Sequence, residues 1–250
     1  MAHGNAAPVD HRDRSQDRWL VLGLAASGLL ALATIAAVAA LLLFVALYSI
    51  PSSSNEPTLK VGDNVLAVCY RLGCRFGTLP FLPVITLLEP EMGDMAVFRK
   101  PDGSSIVYVK RIVGLPGDEV RVRDEVLYIN GTAVPRRRIE DDIETDYRGT
   151  SRTIAQYEET LPNGVKAHVL DRAPNRNLDN VGPFKVPPDH YFVVGDNRDN
   201  SSDSRDPNGG VGYVPRENMV ARVRRVTFST AAWGRIFVPV DLPPQSSRRG

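Results

Sequence analysis

The sequence predicts a mostly β protein that one N-terminal transmembrane helix tethers to a membrane. Two observations predict it: a long apolar segment near the N-terminus, and short apolar runs separated by turn residues in the rest of the chain. The 250 residues carry 30 Lys+Arg and 29 Asp+Glu, and this net charge of +1 gives no reason to expect a nucleic-acid partner. The remaining stretch of about 200 residues suffices for a β-rich core with a variable insert.

The apolar segment, residues 19–50, has no charged side chain and is about 32 residues long. A helix needs roughly 20 residues to cross the hydrocarbon core. We therefore expect a span that stays as an anchor. A cleavable secretory signal is the alternative, but its apolar region is only about 7–15 residues long.

Basic residues before the span set its expected orientation. They are Arg12, Arg14 and Arg18. The positive-inside rule then places residues 1–18 in the cytoplasm and everything after Ile50 outside. We expect a single-pass membrane protein with its folded part on the outer face of the membrane.

Apolar runs bounded by turn residues predict the strands of the core. These runs lie at 64–70, 95–99, 106–114, 119–123, 190–195 and 218–228. Asn130-Gly131 lies between two further strand-like runs and predicts a tight hairpin. Strand signals fade between about 132 and 185, where the sequence is polar, and we expect an insert or a small second lobe there.

These boundaries divide the chain into consecutive parts. They are a cytoplasmic tail (1–18), the anchor (19–50), a first part of the core (51–131), the insert or second lobe (132–185), a second part of the core (186–238) and a loose tail (239–250). Cys69 and Cys74 are too few for a disulfide framework. They form either one small disulfide or two buried thiols.

The run IVYVKRIV (106–113) predicts a strand with one charged residue on each face among apolar neighbours. Tyr108 and Lys110 share one face, and Val109 and Arg111 share the other. Such a lysine either extends its ammonium to water or is buried with a lowered pKa. To act as a general base near pH 7, its pKa must fall roughly 2–3 units below the ordinary value of about 10.4.

Three serines at positions 52–54 follow the apolar segment at once and are either a hydrated linker or candidate nucleophiles. A serine paired with a lysine is one form of the nucleophile–base arrangement. A third segment, GDNRDNSSDSRDPNGG (195–210), is dense in residues that bond their own backbone and shape a loop. It fits a calcium loop poorly, since Ser204 and Gly210 stand where glycine and glutamate are needed.

Two other catalytic schemes can be compared with the sequence. No zinc-binding spacing occurs, so we expect no metal. A Ser-His-Asp triad would have to use His168 or His190, and His190 at the head of a strand keeps that scheme open, although no nucleophile elbow supports it.

Taken together, SIPSSSNEPTLKVGD, GDMAVFRKPDG, VYVKRIVGLPGDEV and GDNRDNSSDSR resemble the successive motifs of the bacterial type I signal peptidases, in the family's order. The resemblance runs from the anchor to about Arg224 and is weak in the insert and tail. It implies a membrane-anchored Ser-Lys endopeptidase that removes signal peptides from exported preproteins after small residues of the Ala-x-Ala type. Signal peptides and membrane lipids are then the partners, and no cofactor is implied. The resemblance also implies that the anchor lies in the inner (plasma) membrane, with the catalytic part on its outer (periplasmic) face.

The resemblance also implies roles for individual residues. The nucleophile falls on Ser54 and the general base on Lys110. The oxyanion-binding hydroxyl falls on Ser52, the hydroxyl that orients the base on Ser201, and a supporting ion pair on Asp203 and Arg205. The pocket walls fall on Ile50, Asn55, Tyr108 and Val109.

One residue departs from the family's pattern. Asn55 stands where the family usually has a methionine that helps line the pocket for the residue before the cut. We expect this polarity to affect specificity rather than activity. Two alternative functions remain: a specialised peptidase for one conjugation or pilus substrate, and an inactive protein that binds exported peptides.

Overall fold

The computed structural model describes residues 14–72, 74, 85–139, 141–145, 151–172 and 177–240. Within the chain, Met1–Leu42 and Leu43–Gly250 form two separate compact units. The predicted cytoplasmic tail and loose C-terminal tail lie mostly outside the described residues. The domain boundaries predicted from the sequence stay predictions.

The described part of the first unit is helical and belongs to helix α1, Arg14–Phe44. Its part from Arg18 to Phe44 contains an 18-residue stretch with a mean hydropathy of 2.4 and is long enough to cross a membrane. The helix ends earlier than the predicted segment 19–50, because the next five residues, Val45–Ser49, form strand β1. They pair with the strand that follows, which the apolar composition alone does not reveal.

The second unit is built of strands. Their bounds are β1 Val45–Ser49, β2 Asp63–Cys69, β3 Met95–Arg99, β4 Val107–Gly114, β5 Glu119–Arg123, β6 Val126–Ile129, β7 Thr132–Ala133, β8 Arg136–Arg138, β9 Asp142–Thr145, β10 Ser151–Thr160, β11 Lys166–Asp171, β12 Val181–Lys185, β13 His190–Val194, β14 Val214–Pro215 and β15 Met219–Ser229. Short 3-10 helices lie at Arg198–Asn200, Arg216–Asn218 and Trp233–Arg235. The mostly β fold class is confirmed.

Three sheets organise these strands. The largest has seven strands in the order β1-β2-β15-β3-β4-β13-β14. A second has the order β12-β5-β6-β7, and a third has the order β11-β10-β8, with β9 paired to β10. Each pairing is antiparallel, so neighbouring strands alternate in direction. Apolar side chains between and beneath the sheets form the core, for example Val97, Leu127 and Phe192.

The predicted hairpin at Asn130-Gly131 is confirmed. Both residues have positive φ, 52° and 78°, and the strands on either side, β6 and β7, pair with each other. A tight turn with two positive φ angles suits asparagine followed by glycine.

Strand signals are weak in the sequence between 132 and 185, yet this stretch contains strands. Strands β7 to β12 lie there. In β11 the buried Ala167 and Val169 alternate with exposed Lys166 and His168, the pattern of a half-buried strand. The outward-facing side chains of such strands are polar or charged, so the composition of this stretch does not reveal the alternation.

The two cysteines form a disulfide. Cys69, the last residue of β2, is bonded to Cys74 with an S–S distance of 2.05 Å. Their separation of five residues closes a small loop at the end of the strand. The structure therefore decides between the two alternatives that the sequence left open.

Candidate active site

A tight turn after β1 presents the serines. Its base is fixed by backbone hydrogen bonds from Ile50 N to Asp63 O (2.8 Å) and from Leu59 N to Asn55 O (2.8 Å). Ser54 is 8% exposed, so its hydroxyl lies at the floor of the turn rather than in solvent. The three serines are therefore part of an ordered turn and not a hydrated linker.

Strand β4 places Lys110 beside this turn. Lys110 pairs with Ala96 of β3 and is only 3% exposed. Its Nζ forms a hydrogen bond of 2.5 Å with Ser54 Oγ. A serine hydroxyl and a lysine amine in direct contact form the geometry that a nucleophile and its base require.

Burial also changes the acidity of this lysine. Loss of hydration lowers the pKa of Lys110 to about 8, against the opposing effect of the carboxylates of Asp203 and Asp196. At pH 7 about one such amine in ten is neutral, compared with about one in 3,000 for an ordinary lysine. Lys110 can therefore accept a proton near neutral pH.

The polar loop 195–210 packs against the serine turn. Asp203 and Arg205 form a buried ion pair, with Arg205 Nε 3.0 Å from Asp203 Oδ1 and Nη2 2.9 Å from Oδ2. Burial alone would raise the pKa of Asp203, but the guanidinium of Arg205 holds it below its ordinary value. Gly195 N–H donates to the same carboxylate at 2.9 Å, so the pair fixes the start of the loop.

Two asparagines of this loop hold the serine turn. Asn197 N–H donates to Ser54 O (3.1 Å), and Asn197 Nδ2 donates to Ser53 O (3.1 Å). Asn200 Nδ2 donates to Ser53 Oγ (2.7 Å). The sequence analysis did not assign these residues, although the density of asparagine in the loop was the available signal.

A second buried ion pair also escaped the sequence analysis. Arg111 Nε and Nη2 contact Asp196 Oδ1 and Oδ2 at 2.8 and 2.7 Å, and both side chains are 1% exposed. Thr58 Oγ1 donates to Asp196 Oδ2 at 2.5 Å. The available signal was the single charge of Arg111 on its face of β4.

Ser52 and Ser201, two further residues predicted from the sequence, lie close to Ser54. The Ser52 hydroxyl is 3.3 Å from Ser54 Oγ. Ser201 packs against Gly195, where an added Cβ would lie 2.2 Å from Ser201 Oγ and 2.5 Å from Ser54 O. Within the described part of the chain, no hydrogen bond joins Ser201 to Lys110. Its role in orienting the base stays a prediction.

A cleft of about 420 Å³ opens beside the two central side chains. The structure brings the four predicted pocket residues together around it. They are Ile50, Asn55, Tyr108 and Val109. Ser52, Ser54 and Lys110 line the same cleft.

The structure does not bring His190 to this cleft. It begins β13, and its ring contacts Pro188 O at 2.7 Å. Gly195, which lies against Ser54, is five residues further along the chain. Five extended residues span roughly 16 Å, so His190 lies at about that distance from the serine turn. The arrangement therefore favours Lys110 over His190 as the partner of Ser54.

Comparison with known proteins identifies the family. Residues 23–228 match the family described as signal peptidase, peptidase S26. The signal peptidase I of Rickettsia typhi is 35% identical over 196 residues, covering 73% of this chain and 72% of the relative. That of Rickettsia canadensis is 34% identical over 196 residues, covering 73% and 71%.

A solved structure, a signal peptidase I from Enterococcus faecalis, is also similar, with 24% identity and a TM-score of 0.31. It covers 54% of this chain and 96% of that one. The family match and the curated relatives decide the assignment: the chain belongs to the signal peptidase family, peptidase S26. It is a serine endopeptidase, and the reaction of this class is the removal of signal peptides.

Proposed function

We propose that the chain cleaves signal peptides from exported preproteins by a Ser-Lys dyad, with Ser54 as the nucleophile and Lys110 as the general base. The single observation that carries this proposal is the contact of 2.5 Å between the buried Lys110 amine and Ser54 Oγ. The lowered pKa of Lys110, about 8, supports it because a base must be neutral to accept the serine proton.

The reaction then proceeds in two halves. Neutral Lys110 accepts the Ser54 proton while Oγ attacks the scissile carbonyl carbon. The Ser54 N–H and the Ser52 hydroxyl stabilise the oxyanion, and Lys110 returns its proton to the leaving amine. Lys110 next takes a proton from water, and the resulting hydroxide attacks the carbonyl carbon of the acyl-enzyme to form a second tetrahedral intermediate. When this intermediate collapses, Lys110 returns the proton to Ser54 Oγ and the peptide is released with a new carboxylate.

Two strand edges beside the cleft are open and can bind an extended substrate. In the described part of the chain, β1 pairs with β2 alone. Strand β4 pairs with β3 from Val107 to Arg111, whereas β13 pairs with β4 only from Arg111 onward. The cleft lies between these two edges, so an extended peptide can add to either as a further strand.

Shape limits which residues can precede the cut. Ile50 is 4% exposed and forms part of the cleft wall with Tyr108 and Val109. Such walls leave room for small side chains and exclude larger ones. We infer cleavage after small residues of the Ala-x-Ala type.

The position of the site along the chain suits a membrane-embedded substrate. Ser54 follows Phe44, the end of the membrane-length helix, by ten residues. Apolar side chains near the cleft are exposed, among them Leu47 (63%) and Ile106 (55%), and we infer that they contact membrane lipids.

The disulfide between Cys69 and Cys74 is typical of an oxidising compartment and supports an outward-facing catalytic unit with a cytoplasmic N-terminus.

The test is cleavage of a preprotein with an Ala-x-Ala site, in detergent with phospholipid. We expect the wild type to cut after the second alanine, and Ser54→Ala and Lys110→Ala to lose at least about 10³-fold in kcat/KM. Ser105→Ala and Lys166→Ala, which change exposed residues, are the matched controls. Retention of most activity by Lys110→Ala would place the base elsewhere.

A panel of unrelated preproteins then separates the general enzyme from a specialised one. The general enzyme cuts most of them, whereas a specialised peptidase cuts one. Binding without turnover of any preprotein would favour the inactive binding protein.

A further inference from the structure

Glu159 is a buried carboxylate that the proposed mechanism does not use. It lies on β10, between β8 and β11, and pairs with Arg136 of β8 and Ala167 of β11. Its side chain is only 1% exposed. Because water cannot solvate a charge at such a depth, the carboxylate needs a cationic partner in the protein.

Arg198, in the polar loop 195–210, is that partner. Its Nη1 donates to Glu159 Oε1 at 3.0 Å and its Nη2 donates to Oε2, so the contact is bidentate. The arginine side chain is also buried, with 7% of its surface exposed. A bidentate pair of a guanidinium and a carboxylate fixes orientation as well as distance. The pair therefore holds Arg198, and the loop backbone beside it, against β10.

Two further hydrogen bonds join the same part of the loop to the end of β11. Leu170 N–H donates to Asp196 O at 2.8 Å, and Arg172 N–H donates to Asp199 Oδ2 at 2.7 Å. With the ion pair of Arg198, these bonds attach three of the four residues 196–199 to strands of the region 132–185, which the sequence predicts as an insert or second lobe.

The same loop segment holds the serine turn. Asn197, the residue before Arg198, donates its N–H to Ser54 O and its Nδ2 to Ser53 O, each at 3.1 Å. Asn200, two residues after Arg198, donates Nδ2 to Ser53 Oγ at 2.7 Å. Arg198 thus lies between the two asparagines, and its displacement would move both of them relative to the serine turn.

We propose that Glu159 is a positioning residue for the cleavage reaction, which acts through Arg198 on the loop that holds Ser54. The proposal rests on the proposed function of the site and gives the region 132–185 a part in it. The described residues that line the cleft do not include Glu159, so its effect is on geometry alone. A misplacement of about 1 Å between reacting groups can lower a rate about 100-fold.

The predicted pocket walls are held by other contacts. Tyr108 and Val109 lie on β4, which pairs with β3 at both residues, and Ile50 N–H donates to Asp63 O. Loss of Glu159 should therefore slow the chemical step and leave substrate binding nearly unchanged. A purely structural role would instead lower the amount of folded enzyme and leave kcat per folded molecule as it is in the wild type.

The test compares Glu159→Gln with Glu158→Gln. Glu158, the preceding residue on β10, pairs with the exposed Lys166 and Arg137, so its variant removes a carboxylate from the same strand without changing the contact with the loop. On a soluble peptide with an Ala-x-Ala site, Glu159→Gln should lower kcat per folded molecule about 10- to 100-fold and change KM less than about threefold. Glu158→Gln should match the wild type in both. Near-ultraviolet circular dichroism gives the folded fraction.

A double variant tests whether the two residues act as a pair. Arg198→Gln should lower kcat about as much as Glu159→Gln does, and the double variant should lower it no further, because either change alone breaks the same contact. Losses that multiply in the double variant would contradict the inference, since the two side chains would then act separately.

Amide hydrogen exchange measures the positioning without any substrate. The Asn197 N–H, which is bonded to Ser54 O, should exchange at least about tenfold faster in Glu159→Gln than in the wild type or Glu158→Gln. A wild-type kcat in Glu159→Gln, or an unchanged exchange rate at Asn197, would overturn the inference and leave the dyad intact. If the wild type cuts the peptide no faster than Ser54→Ala does, the proposed function fails, and the inference is overturned with it whatever the exchange rate.

Discussion

At Lys110, the burial of one amine links stability to catalysis. Its pKa of about 8, compared with an ordinary 10.5, corresponds to about 3 kcal/mol of charge destabilisation. Because the folded-state pKa is the lower one, the unfolded chain binds more protons between about pH 8 and 10.5, and the free energy of unfolding rises with pH across this window. At neutral pH the fold is therefore less stable than it would be with an apolar residue here.

The same pKa predicts the pH dependence of cleavage. We expect kcat/KM to rise about tenfold per pH unit below pH 8 and to level off above it, since only neutral Lys110 can accept the Ser54 proton. The measurement is a pH profile of peptide cleavage between about pH 5.5 and 9.5. Lys166→Ala should follow the wild-type profile. A rate that stays constant from pH 6 to 8 would exclude Lys110 as the base.

Strand β4 carries two buried cations on opposite faces. Lys110 contacts Ser54 on one side, and Arg111 pairs with Asp196 on the other. Asp196 is the second residue of the loop 195–210, and the next residue, Asn197, donates its N–H to the carbonyl oxygen of Ser54. The ion pair therefore joins β4 to the loop that holds the serine turn, and so fixes the nucleophile relative to the base.

Asp196→Asn tests this connection. Removing one partner of a buried ion pair leaves Arg111 uncompensated, so we expect a loss of about 3–5 kcal/mol in the free energy of unfolding, measured with urea. The carboxylate of Asp196 also raises the pKa of Lys110, so its removal should move the midpoint of the pH profile below that of the wild type. Asp102→Asn, at an exposed residue, should change neither. An unmoved midpoint in Asp196→Asn would contradict the electrostatic link.

The elements differ in how far the sequence predicts them. Strands β3, β4 and β13 agree with the prediction to within one residue at each end, because each is an apolar run between turn residues. The pair of Arg111 and Asp196 could not be predicted in the same way. Its partners are 85 residues apart, and only the pairing of β4 with β13 brings them together.

The same limit applies to the site. The resemblance to the family located Ser54 and Lys110, and alternation along β4 assigned a face to the lysine. The state of Cys69 and Cys74 could not be predicted, since a separation of five residues permits both a bond and two thiols. The hydrogen bond from Asn55 Nδ2 to Val109 O joins residues 54 positions apart and thus depends on the completed sheet.

At the scale of the whole molecule, the membrane helix and the β unit meet at a sharp boundary in the sequence. Helix α1 ends at Phe44, and β1 begins at the next residue. All five residues of β1 pair with β2. The chain therefore runs from helix α1 directly into β1, and Tyr48 and Ser49 of β1 line the proposed substrate cleft.

Two truncations separate tethering from catalysis. A chain that begins at Val45 keeps β1, so we expect it to cut a soluble peptide at a rate within about threefold of the wild-type rate. It should cut a preprotein in lipid vesicles at least about tenfold more slowly than the wild type does, because the helix no longer positions the site at the membrane. A chain that begins at Pro51 lacks β1 and the hydrogen bond from Ile50 N to Asp63 O, and should cut neither substrate. Equal rates for the first truncation and the wild type on vesicle-bound preprotein would show that the helix contributes nothing to positioning.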